Sequence, residues 1–200
     1  PYTLEAFKTL NASLVNTNVY WHQRIFKRIS EAQKYPEQVE YLVLRKRGLQ
    51  DFPKEIEAFS NLKHLDLSDS NLRECSIDFS QLPALKTLIL KSNQFQKFPT
   101  KICEAKELEF LTIGGQSSGD EIPKEIGQLK NLRKLLILGG GKLEYLPNEI
   151  GDLKNLEVLN VLANNNIVSY TWVTDLYGTQ YAIPNYLSNR MTNLKVIVKF

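Results

Sequence analysis

One short phrase, an aliphatic residue with others three and five positions later, returns through most of this 200-residue chain. Val39, Leu62, Leu85, Leu108, Leu132, Leu156 and Leu194 open it, at steps of 23, 23, 23, 24, 24 and 38 residues. Three positions on stand Leu42, Leu65, Leu88, Leu111, Leu135, Leu159 and Ile197, and five on stand Leu44, Leu67, Leu90, Ile113, Ile137 and Val161. Apolar residues at alternate positions make a short strand with one buried face. A unit of two dozen residues cannot bury such an edge alone, so the units must stack and share one continuous core.

The other half of each unit brings the chain back. Phe52-Pro53, Phe98-Pro99, Ile122-Pro123 and Leu146-Pro147 are each followed, three residues after Pro, by Ile56, Ile102, Ile126 or Ile150. Phe59, Ala105, Leu129 and Leu153 follow three later, and the next phrase opens three after that. Spacing by three suits a short helical or 3₁₀ turn.

The pattern LxxLxLxxNxL resembles the leucine-rich repeat family. The return paths "FPKEIEAFSNL" at 52, "IPKEIGQLKNL" at 122 and "LPNEIGDLKNL" at 146 resemble its bacterial 23-residue variety, LPxEIGxLxNL. The resemblance implies an α/β leucine-rich repeat solenoid, a horseshoe with a parallel sheet on the concave face and short helical or 3₁₀ turns on the convex face. The sequence departs from the family at the asparagine column, which reads Arg47, Ser70, Asn93, Gln116, Gly140 and Asn164. Glycines at 114–115 and 139–141 permit unusual φ but offer no side chain to bridge coils, so looser turns and a local bulge at the end of those strands are expected.

The whole chain reads as one structural domain in four parts. Residues 1–38 form a helical N-terminal cap, with Val19, Ile25, Phe26, Ile29 and Ala32 at helical spacing before Pro36, and a second helix around Leu4, Phe7 and Leu10. Residues 39–165 carry six repeats, the sixth continuing past 165. Residues 166–193 hold an aromatic-rich insertion, with Tyr170, Trp172, Tyr177 and Tyr181, and a return path restored by Ile183-Pro184 and Leu187. Residues 194–200 supply a terminal strand. The aromatics either cap the last coil or extend the binding face.

Little chemistry is encoded. His22 falls in the cap and His64 on a strand, with no nucleophile, carboxylate pair or metal-ligand cluster placed around either, so no catalytic residue, cofactor or metal is expected. Cys75 sits in an apolar column and Cys103 in a return turn, which argues against a disulfide. "GGQSSG" and "GGGK" lack the GxxxxGK[ST] spacing of a phosphate loop, and "NAS" at Asn11 is a single glycosylation-type triplet. Net charge is +3, with Lys and Arg interleaved among Glu and Asp, which gives no reason to expect nucleic acid. No apolar run is long enough to span a membrane, and the chain opens "PYTLEAFKTL" with neither initiator Met nor a signal-peptide pattern.

What remains is surface. Residues between the buried leucines point to the opposite side of the sheet, the face that the resemblance implies for binding. Its first half is polar and mixed in charge: Tyr41, Arg45, Lys46, His64, Asp66 and Asp69, then Ile89 and Lys91. Its second half is apolar: Phe110, Leu136, Leu138, Val158 and Leu162, with Lys134 among them and Tyr170 and Trp172 beyond. Contiguous apolar surface marks interaction sites. The expected function is a non-enzymatic protein-binding module whose partner is an unidentified protein, a host protein if the bacterial resemblance holds. The competing expectation is a scaffold or regulatory repeat region of a larger multidomain enzyme or signalling protein. Secretion or cell-surface display is expected on the same ground, with the cytoplasm as the alternative.

Overall fold

In the computed structural model, residues 24–114, 121–138 and 146–161 are described in full, together with the backbone of residues 170–174, 180–184 and 195–196. Each repeat phrase forms a strand of two to four residues: β1 (Ile25–Phe26), β2 (Tyr41–Val43), β3 (His64–Asp66), β4 (Thr87–Leu90), β5 (Phe110–Ile113), β6 (Lys134–Ile137) and β7 (Val158–Asn160). With β10 (Lys195–Val196) they make an eight-stranded parallel sheet in the order β1-β2-β3-β4-β5-β6-β7-β10. The register aligns Leu42, Leu65, Leu88, Leu111, Leu135 and Leu159 as one row, the column expected from the period.

The return paths are 3₁₀ turns at Lys54–Ala58, Phe79–Gln81, Thr100–Glu104, Lys124–Gln128 and Asn148–Asp152. Pro53, Pro99, Pro123 and Pro147 stand at the N-caps of four of them, in extended backbone that leads into the turn. The fifth lacks Pro, and Asp78 caps it by accepting from the Ser80 N–H at 2.9 Å. Ile56, Ile102, Ile126 and Ile150 are fully buried and meet the strand leucines in one core that runs from Phe26 to Val161. On the convex side the coils pack closely: a Cβ at Gly127 would lie 2.8 Å from the Glu149 Cβ, so only glycine fits.

Two expectations are corrected. Ile25 and Phe26 are not on a helix but form β1, paired with Tyr41 and Leu42, so the sheet starts one strand earlier and the only α-helix among the described residues is α1 (Ile29–Ala32). Phe26 is buried under the first coil as a strand residue would be, and the turn at Pro36–Gln38 closes this opening unit. The long last step contains a hairpin, β8 (Tyr170–Thr174) paired antiparallel with β9 (Gln180–Pro184); the return path expected after Ile183-Pro184 falls on residues outside the described ones. Secondly, Val196 rather than Ile197 aligns with Leu159. The run Val196, Ile197, Val198 is apolar in both parities, and nothing in its pattern distinguishes the two registers.

The bulges expected beyond Ile113 and Ile137 fall mostly on 115–120 and 139–145, outside the described residues, as do residues 1–23. Gly114 itself has another role. A Cβ there would stand 1.9 Å from the Leu138 carbonyl oxygen, so glycine is required by the approach of the next coil rather than by a loose turn.

Candidate functional site

The parallel register lines the non-core face with two rows. Tyr41, His64, Thr87, Phe110, Lys134 and Val158 form one; Val43, Asp66, Ile89, Thr112, Leu136 and Asn160 form the other. Strands stand only about 4.8 Å apart, so side chains in a row cover one another. His64, Asp66, Ile89 and Phe110 are accordingly buried, at 2%, 6%, 8% and 2% exposure. They lie in the expected rows yet contribute little open surface. Tyr41, Arg45, Asp69, Lys91, Lys134, Leu136, Leu138 and Val158 stay half-buried, and Lys46 is exposed. Leu162 and the side chains of Tyr170 and Trp172 lie outside the described residues.

His64 stacks on Tyr41 with ring centroids 5.9 Å apart, and burial pulls its pKa down to about 3. The imidazole is therefore neutral at physiological pH and serves packing. Beside it, Asp66 accepts from both the N–H and the hydroxyl of Ser68 and lies 3.7 Å from the Arg45 Nε. Asp69 stands 3.6 Å from the other end of the same guanidinium. The charges expected to match a partner are thus partly matched to each other. Lys91 completes the group; burial and then Arg45 lower its pKa, while Asp69 and Asp66 oppose the shift. At the far end, burial also lowers the pKa of Lys134.

The turn after each strand explains how these side chains are displayed. Lys46, Asp69 and Ser92, one per coil, have φ of 57°, 55° and 56°, left-handed backbone that non-glycine residues rarely adopt. The later members of this column are Gly115 and Gly139. One residue on, the asparagine column works better than its letters suggest. Asn93 donates to the carbonyls of Leu67 and Leu90 and accepts from the Ser70 and Leu72 N–H groups. Ser70 donates to Leu44 O and Arg47 to Lys27 O, so both keep the bond to the preceding coil.

A second ladder escaped the sequence reading. Asn61, Asn131 and Asn155, the Asn of each "NL", donate to the carbonyls of Glu37, Lys106 and Lys130 one coil back. Next to them run the ion pairs Lys63–Glu40, Lys86–Glu109 and Arg133–Glu157 at 3.0, 2.7 and 2.5 Å. The signal was present: charges of either sign one position after the opening residue, one period apart. A polar groove of about 330 Å³ opens there, lined by Glu107, Glu109, Asn131, Arg133, Asn155 and Glu157.

The two cysteine thiols are not activated. Cys75 and Cys103 are both free thiols, and burial pushes each up to about 12. Among the described residues no group of three His, Cys, Asp or Glu could hold a metal ion, and no helix is long and apolar enough to cross a membrane.

Coils of 23 and 24 residues, one parallel strand each, 3₁₀ return turns and a bridging asparagine together define a repeat solenoid. The sequence model of leucine-rich repeat regions matches residues 37–144, and the chain belongs to the leucine-rich repeat family. Its structure is similar to a leucine-rich repeat protein of Leptospira interrogans, at 30% identity and a TM-score of 0.65 over 89% of this chain and 42% of that one. It is also similar in fold to internalin C2 of Listeria monocytogenes, at 18% identity and a TM-score of 0.58 over 81% of this chain and 62% of that one. The leucine-rich repeat domain of the type III effector XopL shares the fold at 19% identity and a TM-score of 0.55, over 88% and 65% of the two chains. The chain thus spans less than two thirds of each of these proteins. No curated protein matches its sequence.

Proposed function

We propose that this protein is a non-enzymatic binding module that engages a protein partner with the concave face of its sheet. One observation carries the reading: the concave rows change along the stack from charged and polar over β2–β3 to half-open aliphatic over β6–β7. There Leu136 on β6, Leu138 just past its end and Val158 on β7 are half-buried, beside Lys134 and the buried Asn160. Aliphatic side chains left half-open in a contiguous group gain by being covered, while the polar end supplies orientation. The strand residues carry side-chain variety and the leucine rows carry the fold, so specificity can change without disturbing the core. Display outside a bacterial cell, with a host protein as partner, is the setting we propose, on the likeness to a spirochaetal repeat protein.

Immobilised protein is expected to retain a specific protein from host or bacterial extracts, and a Leu136→Asp/Val158→Asp version with an unchanged melting curve to lose it. Capture that both versions share equally would remove the concave face from the function.

A further inference from the structure

Resting on the concave-face reading, we propose that the strand-end rim of the first coils, around Arg45, Lys46 and Lys91, receives an acidic peptide segment of the partner. Three observations bring this about. The accessible charge of the rim is cationic: Lys46 and Arg47 are exposed, Arg45 and Lys91 half-buried. Of the nearby carboxylates, Asp66 has only 9% of its side chain exposed and is occupied by Ser68, which leaves Asp69 at 32%. Positive charge therefore exceeds negative on the part of the rim that a partner can reach.

Arg45 is also incompletely used. Its Nε is buried and makes no hydrogen bond, since both flanking carboxylates stand beyond hydrogen-bond length, at 3.7 and 3.6 Å. The buried Nε is closed to a partner, but the Arg45 side chain keeps 32% exposure, and the open edge of a planar guanidinium suits a further carboxylate presented from outside. Lys91 points the same way, because its lowered pKa reports a cation whose desolvation its neighbours do not fully offset.

The backbone supplies the third observation. Lys46, Asp69 and Ser92 occupy left-handed turns one above the other, in the column that the later coils fill with glycine. Side chains are thereby kept at a sterically unfavourable position on the coils that carry the charge, and strain of this kind accumulates at binding sites. Arg45 and Lys46 follow β2, four strands from the β6 that carries Leu136, so an acidic stretch of the partner and its apolar anchor would be read separately.

The test uses the whole chain and a labelled synthetic peptide of alternating Glu and Ser, with Gln-Ser and Lys-Ser versions and an oligothymidylate as controls, followed by fluorescence anisotropy. The Glu-Ser peptide is expected to bind, to weaken tenfold or more with Lys46→Glu, and to weaken as salt rises. Lys46→Gly should lose affinity while melting no lower than the parent protein, which separates recognition from folding. Lys124→Glu, on the convex side, should leave binding unchanged. Equal loss with Lys124→Glu would reduce the effect to net charge and overturn the proposal, as would tighter binding of the oligothymidylate or of the Lys-Ser peptide, or no binding of the Glu-Ser peptide. Leu136→Asp should not alter peptide binding. Failure here thus leaves the apolar docking reading standing, and failure of the extract experiment leaves this one.

Discussion

His64 shows how the concave row acts on a single residue. Sandwiched in its row and stacked on Tyr41, it is held neutral, with its pKa drawn from 6.5 to about 3 by burial. The unfolded chain binds a proton below pH 6.5 that the native chain refuses until about pH 3, so stability is complete above 6.5 and falls as the pH drops through that window. The slope approaches about 1.4 kcal/mol per pH unit, or about 2 kcal/mol between pH 7 and pH 5. Denaturant titrations at those two pH values should show that loss. His64→Gln should flatten it, and an unchanged slope would assign the effect elsewhere.

Among elements, the two asparagine ladders differ in what they do. Asn93 is 1% exposed and its amide satisfies four backbone groups of the turns around it. Removing it leaves buried N–H and C=O groups without partners, so Asn93→Ala should cost about 2 to 4 kcal/mol. Asn131 makes the same kind of inter-coil bond from an exposed position, to Lys106 O at 3.1 Å. Water replaces that bond readily, and Asn131→Ala should cost less than about 1 kcal/mol. Urea unfolding of the two variants side by side checks the contrast; equal losses would mean that burial does not set the value of the ladder. Cross-coil ion pairs such as Lys63–Glu40, with side chains 43% and 36% exposed, belong with the weak set.

For the whole molecule, the consequence of stacking is cooperativity. One buried cluster runs from Phe26 to Val161, so each inner coil packs its apolar residues against the coils on both sides. Leu111 lies in the middle strand, fully buried between Leu88 and Leu135. Leu111→Ala should lower stability by about 2 to 5 kcal/mol while unfolding remains a single transition by near- and far-ultraviolet circular dichroism. A loss under about half a kcal/mol would contradict the burial, and two separated transitions would show that the coils on either side fold independently. The same continuity lets one end of the concave face be polar and the other aliphatic on a single scaffold.

The sequence by itself determined the repeat, its period, the buried leucine row and the proline-led return turns, because each is a local pattern whose only stable outcome is stacking. For the strand residues Tyr41, His64, Asp66, Ile89, Phe110, Lys134, Leu136 and Val158 it also indicated the side of the sheet, since alternation along a strand fixes it. Tertiary structure decided what no single coil contains. Whether Phe110 and His64 are surface or interior depends on side chains one strand away, and whether Arg45 is free depends on Asp66 and Asp69 two dozen residues on. The strand at Ile25–Phe26 exists because Tyr41 and Leu42 offer an open edge, although the letters around it follow helical spacing. The terminal strand takes its register from β7 because its own apolar run fits either parity. In each case the deciding contact is with a neighbouring coil, and period and alternation say which coils are neighbours without saying how closely their side chains meet.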